Sequence, residues 1–411
     1  MFALCYLLVM VISLTIFAFV KLKLNTKIMI AALLFTVFAL VIIPYDNGAV
    51  DATKYYGFLN YVRHVRAIGG IGAAWSAINS DAYANISFGG SNLSSAPDTL
   101  SFAATPVMGM VMLIMSYFPN EFLMAIVAFA DYYLAMKMIQ LVVERHHLPL
   151  RYFTIAYLIF CCLFVYSAAV SGIRNNFVGT AFAYAALRYA ESNSRLLSFK
   201  TIKLLIITVL LSLIHPFTLI LFSLFMIAVI FYRTKWIRLF DGLMFLQSFF
   251  QGGFLSLMIP LSAIPFFSSI LYKSNQYLGS NATIHISSGA NIVRDLARLF
   301  VLLLIFMLVH RLSRELINQR YTEFVLLLFC FIIGAFRDQL LFDRCLLVML
   351  PIMLPFITLL PVVANIYHLS HPKSTRAFIL YLTIVGLGIF SVICLTDNLR
   401  AGSLYFHFLT M

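Results

Sequence analysis

Long apolar runs separated by short polar segments make up most of the chain. A helix needs about 20 apolar residues to cross a bilayer, whereas a transmembrane strand needs alternating apolar and polar positions, which these runs lack. The pattern therefore predicts an all-α polytopic membrane protein with about 12 transmembrane helices, within a range of about 11–13. The candidate spans cover residues 2–20, 28–44, 100–118, 121–142, 152–170, 177–190, 203–214, 217–232, 240–258, 295–310, 322–336, 342–361 and 377–395.

The few charged residues are grouped between the apolar runs. Only 10% of the residues are charged and 63% are hydrophobic. This composition, with a mean hydropathy of +0.98, excludes a soluble globular chain. Clusters of Lys and Arg mark cytoplasmic loops, so the net charge of +13 is explained by membrane orientation and anionic lipids without a nucleic acid. The clusters are Lys21–Lys27, Arg145–Arg151, Arg195–Lys203, Arg233–Arg238, Arg311–Arg320 and Lys373–Arg376.

Two polar stretches, 45–99 and 259–294, fall on the outer side under this rule. Neither has enough periodic apolar residues for a core of its own, and their aromatic residues suit amphipathic helices at the membrane interface. We therefore predict one integral membrane domain over residues 1–411, with these two stretches as outer loops above the same face. The first run lacks a charged leader segment and a cleavage site, so we expect an uncleaved span.

The predicted topology contains one conflict. If Lys21–Lys27 is inside, two full crossings by 100–118 and 121–142 would put Arg145 outside. Either 100–118 enters and leaves on the same side, or the Gly-rich stretch 67–80 crosses. Because 67–80 is too short to span a bilayer with ease, we favour a partial or amphipathic element.

Three arginines lie at the opposite ends of the spans from the basic clusters. Arg174 follows a Ser-Gly-Ile turn at a predicted helix start, where backbone N–H groups and a guanidinium bind anions well. Arg337 and Arg344 border a second outer turn, which also contains Asp338 and Asp343. The planar guanidinium fork suits phosphate. Snorkelling of Arg174 to lipid phosphate and salt bridges within the second turn remain alternatives.

Two further outer positions suit acid–base chemistry. His215 lies in a turn before Pro216, and Asp51 lies at helical spacing from Tyr55. A helix cap and a solvated loop acid are the structural alternatives. Asp131 is an acid inside an apolar run, which makes it a functional candidate by location.

The sequence shows no metal-binding, Ser-His-Asp or phosphate-loop motif. Its six cysteines all lie in or beside apolar runs, and none forms a Cys-x-x-Cys pair. We therefore expect reduced thiols that pack as small hydrophobic residues.

In their order, the outer features resemble the EpsG-like branch of the Wzy-type polysaccharide repeat-unit polymerases. That family has an outer acid–tyrosine motif, a Gly-Ile-Arg turn near mid-chain, a basic cytoplasmic loop, a His-containing outer turn and a late Arg. The matching positions are Asp51 and Tyr55, Gly172-Ile173-Arg174, Arg195–Lys203, His215 and Arg344. The match is best over residues 120–232. Pro216 stands where the family commonly has Ser, and Asn175 where Gln is common.

The resemblance implies a GT-C-like glycosyltransferase of the bacterial inner membrane, with its active site facing the periplasm. Such an enzyme moves a growing glycan from undecaprenyl pyrophosphate to the sugar of an incoming lipid-linked repeat unit, as in O-antigen or exopolysaccharide synthesis. It needs no cofactor and no metal, and its partners are the lipid-linked oligosaccharide, membrane lipids and a chain-length regulator. The implied residues are Arg174 and Arg344 for pyrophosphate, His215 and Asp51 for acid–base catalysis, and Tyr55 and Asn175 for lining the substrate. Their place in the second outer turn adds Arg337 to the pyrophosphate-binding residues and Asp338 to the substrate-lining residues.

Three other functions are weighed against polymerisation. A flippase for lipid-linked oligosaccharides, or another exporter, predicts charges along a central cavity and internal repeats. A membrane acyltransferase predicts a catalytic His beside a partner acid. A purely structural scaffold is the least favoured of the three. The sequence shows charges at one rim, no repeats and no His–acid pair, which favours the polymerase.

Overall fold

The computed structural model describes residues 1–45, 51–80, 102, 105–192, 194–246, 289–312, 316–336, 339–370 and 375–408. These residues form helices and one small sheet. The helices are α1 (Phe2–Phe19), α2 (Leu24–Val41), α3 (Asp51–Asn79), α4 (Pro106–Met115), α5 (Glu121–Arg145), α6 (Leu150–Leu163), α7 (Tyr166–Ser171), α8 (Ile173–Glu191), α9 (Phe199–Ser212), α10 (Phe217–Phe231), α11 (Trp236–Leu246), α12 (Gly289–Leu312), α13 (Gln319–Gly334), α14 (Gln339–Ser370) and α15 (Thr375–Tyr405). The strands are β1 (Ile42–Pro44) and β2 (Phe406–Phe408).

The predicted helical class is confirmed for these residues, apart from the two short strands, and 5 helices are long and apolar enough to cross a membrane. They are α1, α2 and α5, with the apolar parts of α14 and α15. The outward faces of α1 and α15 expose large apolar side chains such as Leu4 and Tyr381, which is typical of contact with lipid. The apolar part of α14 is 89% buried, so this helix forms the centre of the bundle.

A glycine allows α8 to pack closely against this central helix. A Cβ atom at Gly179 would lie 2.5 Å from Cγ2 of Val348 on α14, closer than packed atoms approach each other. The β-branched Val348 is stiff and does not move aside easily. The close approach brings the beginnings of α8 and α14 together, where Arg174 and Arg344 lie.

The basic clusters meet at one end of the bundle, which we call the basic end. Lys137 in α5 donates to Oδ1 of Asn25 at the start of α2, at 3.0 Å. Arg145, at the end of α5, forms an ion pair with Glu191 at the end of α8. The start of α2 and the ends of α5 and α8 therefore share one side, in agreement with the positions of the Lys and Arg clusters.

Two further contacts at the basic end join the later helices to it. Nη1 of Arg320, in α13, donates to the Ser194 carbonyl after α8, at 2.6 Å. Arg238, in α11, pairs with Glu323 of α13 at 2.9 Å. The start of α13 thus lies on the same side as the end of α8.

The small sheet marks the opposite end, which we call the outer end. β1 follows α2 and β2 follows α15, and the two strands pair antiparallel with Ile43 opposite His407. The backbone N–H of Tyr45 donates to the carbonyl of Tyr405 at 2.9 Å. The ends of α2 and α15 therefore lie side by side.

Within residues 100–118, which we predicted as a candidate span, α4 is too short to cross. Its ten residues rise about 15 Å, half of the roughly 30 Å of hydrocarbon. The N–H of Met108 is 3.4 Å from the carbonyl of Leu213, in the turn between α9 and α10. At the other end, Nε of Arg63 in α3 donates to the carbonyl of Ser116 at 3.2 Å. Because both ends of α4 are bound to outer elements, the contacts favour entry and exit of this stretch on one side.

The Gly-rich stretch 67–80 forms the second part of α3. Gly70 has φ +74°, in the left-handed region that glycine adopts readily, and it bends α3 at this point. The helix ends at Asn79, so the part after Gly70 rises only about 14 Å. The N–H of Phe102 donates to the carbonyl of Ile78 at 3.2 Å, which ties this part to the segment before α4.

Accessibility labelling tests this topology. In a variant without the native cysteines, we expect Ser80→Cys and Pro119→Cys to react with a membrane-impermeant maleimide added outside intact cells. Lys200→Cys, at the basic end, should react only after the cells are permeabilised. Labelling of positions 80 and 119 from opposite sides would mean that α4 crosses.

Candidate functional site

Arg174 and Tyr55, both predicted as site residues, are in direct contact at the outer end. Arg174 is the second residue of α8, and its Nε donates to the hydroxyl of Tyr55 in α3 at 2.6 Å. Its guanidinium carbon lies 5.7 Å from the ring centre of Tyr55 and 5.6 Å from that of Phe102. Both rings are buried, so they form an aromatic wall that holds the guanidinium.

Arg174 itself is half-buried and has no anionic partner in the described part of the chain. Within those residues, no carboxylate lies at ion-pair distance from it, and its terminal nitrogens donate to no acceptor. The first turn of α8 adds the positive end of a helix dipole. A guanidinium in this setting favours an anion, because a buried cation needs a compensating charge.

The charge of Arg344, near the start of α14, also influences the pKa of Tyr55. Burial raises the pKa of Tyr55 above its usual value, the positive charges of Arg174 and Arg344 lower it, and the negative charge of Asp51 raises it. The phenol is therefore protonated at neutral pH. Because Arg174 donates to its oxygen, the hydroxyl still has its own proton to donate to a bound ligand.

Asp51 lies at the exposed edge of the cluster that contains Arg174 and Tyr55. It is the first residue of α3, its side chain is 58% exposed, and Oδ1 is 3.8 Å from Nζ of Lys54. An exposed acid in the first turn stabilises a helix through the dipole. The geometry therefore favours the solvated acid over a buried general base at this position.

His215 caps the helix that follows it. Its Nδ1 accepts the N–H of Phe217, the first residue of α10, at 3.2 Å. When Nδ1 accepts, a neutral ring carries its proton on Nε2, which makes Nε2 a donor. This hydrogen bond supports the interpretation of His215 as a helix cap. With Nε2 as a donor, His215 can orient a ligand but is not set up to remove its proton.

We expect substitutions of His215 to separate these roles. An Asn side chain can cap a helix, whereas Ala cannot, so His215→Ala should lower stability by about 1 kcal/mol and His215→Asn by less. His215→Asn should also leave the pH profile of activity unchanged in shape. Thermal unfolding and the pH profile check both points. If His215→Asn instead loses the fall in activity at low pH, where a general base becomes protonated, His215 acts as a general base.

Four residues singled out from the sequence remain, namely Arg337, Asp338, Asn175 and Asp131. Arg337 and Asp338 lie outside the described residues. Asn175, next to Arg174, has a buried Oδ1 that lacks a hydrogen-bond partner among the described residues. Asp131 is fully buried within α5.

The structure adds a polar group that the sequence reasoning missed. A cavity of about 240 Å³ opens at the outer end between α12, α14, α15 and the break that separates α6 from α7. Arg294 in α12 pairs with Asp295 at 3.2 Å and with Asp397 of α15 at 3.1 Å, and Arg298 lies 3.4 Å from Asp295. The signal was the spacing of Arg294, Asp295 and Arg298, which puts three charges at the start of an otherwise apolar helix.

Neither the side chains that could bind metal nor the comparisons with known proteins identify the class of protein. In the described residues, no group of three or more His, Cys, Asp or Glu has the geometry to hold a metal ion. All six cysteines are free. Comparisons with protein-family models, with curated proteins and with solved structures found no match to this chain. Any functional assignment therefore depends on the residues and their geometry.

Proposed function

We propose that the chain is a membrane glycosyltransferase that polymerises repeat units linked to undecaprenyl pyrophosphate. The donor is the growing glycan on its lipid pyrophosphate, and the acceptor is a sugar of a second lipid-linked repeat unit. The reaction takes place at the outer end of the bundle, in the bacterial inner membrane on the periplasmic side.

The observation that carries this proposal is the environment of Arg174. It is half-buried, has no carboxylate partner in the described part of the chain, and bonds to Tyr55, whose pKa the charge of Arg344 also lowers. Two guanidinium groups near a protonated phenol form a donor set for an anion with several oxygens. A lipid pyrophosphate suits this set, because its charge lies at the membrane surface while its chain stays in the lipid.

Glycan transfer needs such a donor set. The bond from the anomeric carbon to the pyrophosphate oxygen breaks, and the electron pair stays with the pyrophosphate. Preorganised donors stabilise this developing charge most effectively where water is scarce. Arg174 and Arg344 have this role, and Tyr55 donates its hydroxyl proton to the same oxygens.

The second candidate is a carrier for lipid-linked oligosaccharides. The buried Asp131, inside a helix long enough to cross the membrane, favours it, because intramembrane acids commonly mark transport pathways. The charges near Tyr55 and in the cavity lie at one end of the bundle, and this one-sided placement favours the transferase.

A deletion strain distinguishes the two. For a polymerase we expect surface glycolipid that carries a single repeat unit, with full chain length restored by the wild-type gene. Absence of any repeat unit at the surface would identify a carrier. Unchanged polymer length would contradict both functions.

A further inference from the structure

The cavity at the outer end is lined by two kinds of residue. Many are apolar, and the others are charged or amide residues of α8, α12, α14 and α15. Non-helical backbone at Phe164 and Val165, between α6 and α7, also reaches it. Broken helices are tolerated in membranes where they line a cavity. The apolar lining includes Leu163, Phe164, Leu302, Leu346, Leu350 and Phe390.

Several buried polar atoms of this cavity have no partner in the described part of the chain. They are Oδ1 of Asp343, Oδ1 of Asn398 and Nε of Arg298. Asn398 is only 3% exposed, and its Nδ2 donates to the carbonyls of Cys162 and Phe164 at 3.0 and 3.1 Å. Leaving a buried polar group without a partner is unfavourable, so this set of two acceptors and one donor favours a bound ligand that both donates and accepts hydrogen bonds.

Asp343 differs from the other acids of the cavity. Asp295 and Asp397 are ion-paired with arginines of α12, whereas no ion pair of Asp343 is found among the described residues. Its Oδ1 therefore keeps its capacity to accept a proton or a hydrogen bond.

The central helix connects this cavity with Arg174. Successive helical residues point about 100° apart. Asp343 lines the cavity, and the charge of the next residue, Arg344, lowers the pKa of Tyr55. In α8, likewise, Asn176 lines the cavity while Arg174 bonds to Tyr55. The beginnings of α8 and α14 thus contribute to both places.

We propose that the cavity binds the terminal sugar of the acceptor and that Asp343 accepts the proton of its attacking hydroxyl. The inference rests on the proposed function. The volume of about 240 Å³ is below the roughly 300–1,000 Å³ of drug-sized pockets, which fits one sugar ring rather than a whole repeat unit. The rings of Phe164 and Phe390 pack on the C–H face of the sugar, and Asn398 bonds to a hydroxyl.

The atoms balance in this step. The hydroxyl oxygen of the acceptor forms a bond to the anomeric carbon of the donor, and its proton moves to the carboxylate of Asp343. The bond between the anomeric carbon and the pyrophosphate oxygen breaks. The pyrophosphate leaves with the electron pair and is held by Arg174 and Arg344.

The test uses the full-length protein in nanodiscs with two probes. The first is the oligosaccharide repeat unit released from the surface polysaccharide of the native strain, followed by saturation-transfer NMR. The second is undecaprenyl pyrophosphate. Asp343→Asn should slow transfer at least a hundredfold, while its binding of both probes stays within threefold of wild type. Ala401→Trp fills the cavity and should abolish the oligosaccharide signal without changing the binding of undecaprenyl pyrophosphate.

Glu121→Gln is the matched control, since Glu121 is an outer-end acid at the start of α5 that does not line the cavity. It should leave transfer and binding unchanged. Transfer by Asp343→Asn within threefold of wild type overturns the role of Asp343, and an oligosaccharide signal that survives Ala401→Trp overturns the sugar site. If the wild type binds the oligosaccharide but transfers nothing, the result contradicts the proposed function and the role of Asp343 but still supports the sugar site.

Discussion

Arg174→Lys is expected to reduce polymer formation at least about a hundredfold, which corresponds to about 2.7 kcal/mol in the activation free energy. Lysine keeps the charge, but it loses the planar fork and the Nε bond to Tyr55. Donors aimed at a developing anion contribute about this much in other enzymes. Polymer length on gels and transfer by the purified protein measure the effect.

Arg188→Lys is the matched control for this variant. Arg188 lies on the same helix, at the basic end, and its Nη1 also donates to a tyrosine hydroxyl, that of Tyr184, at 3.1 Å. Its substitution should leave polymer length unchanged. If Arg174→Lys makes polymer of wild-type length at equal protein levels, Arg174 does not bind the pyrophosphate.

Arg238→Met is expected to give the largest loss of stability. Arg238 bonds to Asp241 at 2.7 Å and to Glu323 at 2.9 Å, and the exposed fractions of these two acidic side chains are 12% and 6%. Without the arginine, two buried carboxylates face each other without a counter-charge. We expect a loss of about 2–3 kcal/mol, less than for a fully buried pair, because Arg238 itself is 55% exposed. Unfolding in detergent measures it.

Replacing the two acids as well tests whether their uncompensated charge causes this loss of stability. The triple variant with Arg238→Met, Asp241→Asn and Glu323→Gln should recover most of the lost stability, since no uncompensated charge remains. Arg233→Met is the surface control and should change stability by less than about 0.5 kcal/mol. A triple variant as unstable as Arg238→Met would show that packing of the arginine, and not its charge, stabilises the basic end.

Much of the site could be predicted from the order of residues alone. Arg174 follows a Gly-containing turn at the start of an apolar helix and lies far from any basic cluster. Both features can be read from the sequence around it. Tyr55 was singled out by its helical spacing from Asp51, but its contact with Arg174 was not foreseeable, because 119 positions separate the two residues.

The sequence did not predict the charged cavity either, because the residues that form it are also far apart in the chain. Arg294, Asp295 and Arg298 lie at the boundary between a polar stretch and an apolar run, where single charges are common and carry no distinct signal. Their importance depends on Asp343 and Asp397, which come from two other helices. Sequence spacing does not show which helices become neighbours.

The sequence by itself determined the helical class, the apolar lengths and the separation of basic clusters from the outer arginines. These features follow from side-chain hydropathy and from the cost of moving charge across a bilayer, and both act on each segment independently. Only the tertiary structure decided that α4 is a short element between outer segments, that Arg174 meets Tyr55, and that Asp343 lines a cavity. These outcomes depend on packing between segments far apart in the chain, such as the approach of α8 to α14 at Gly179.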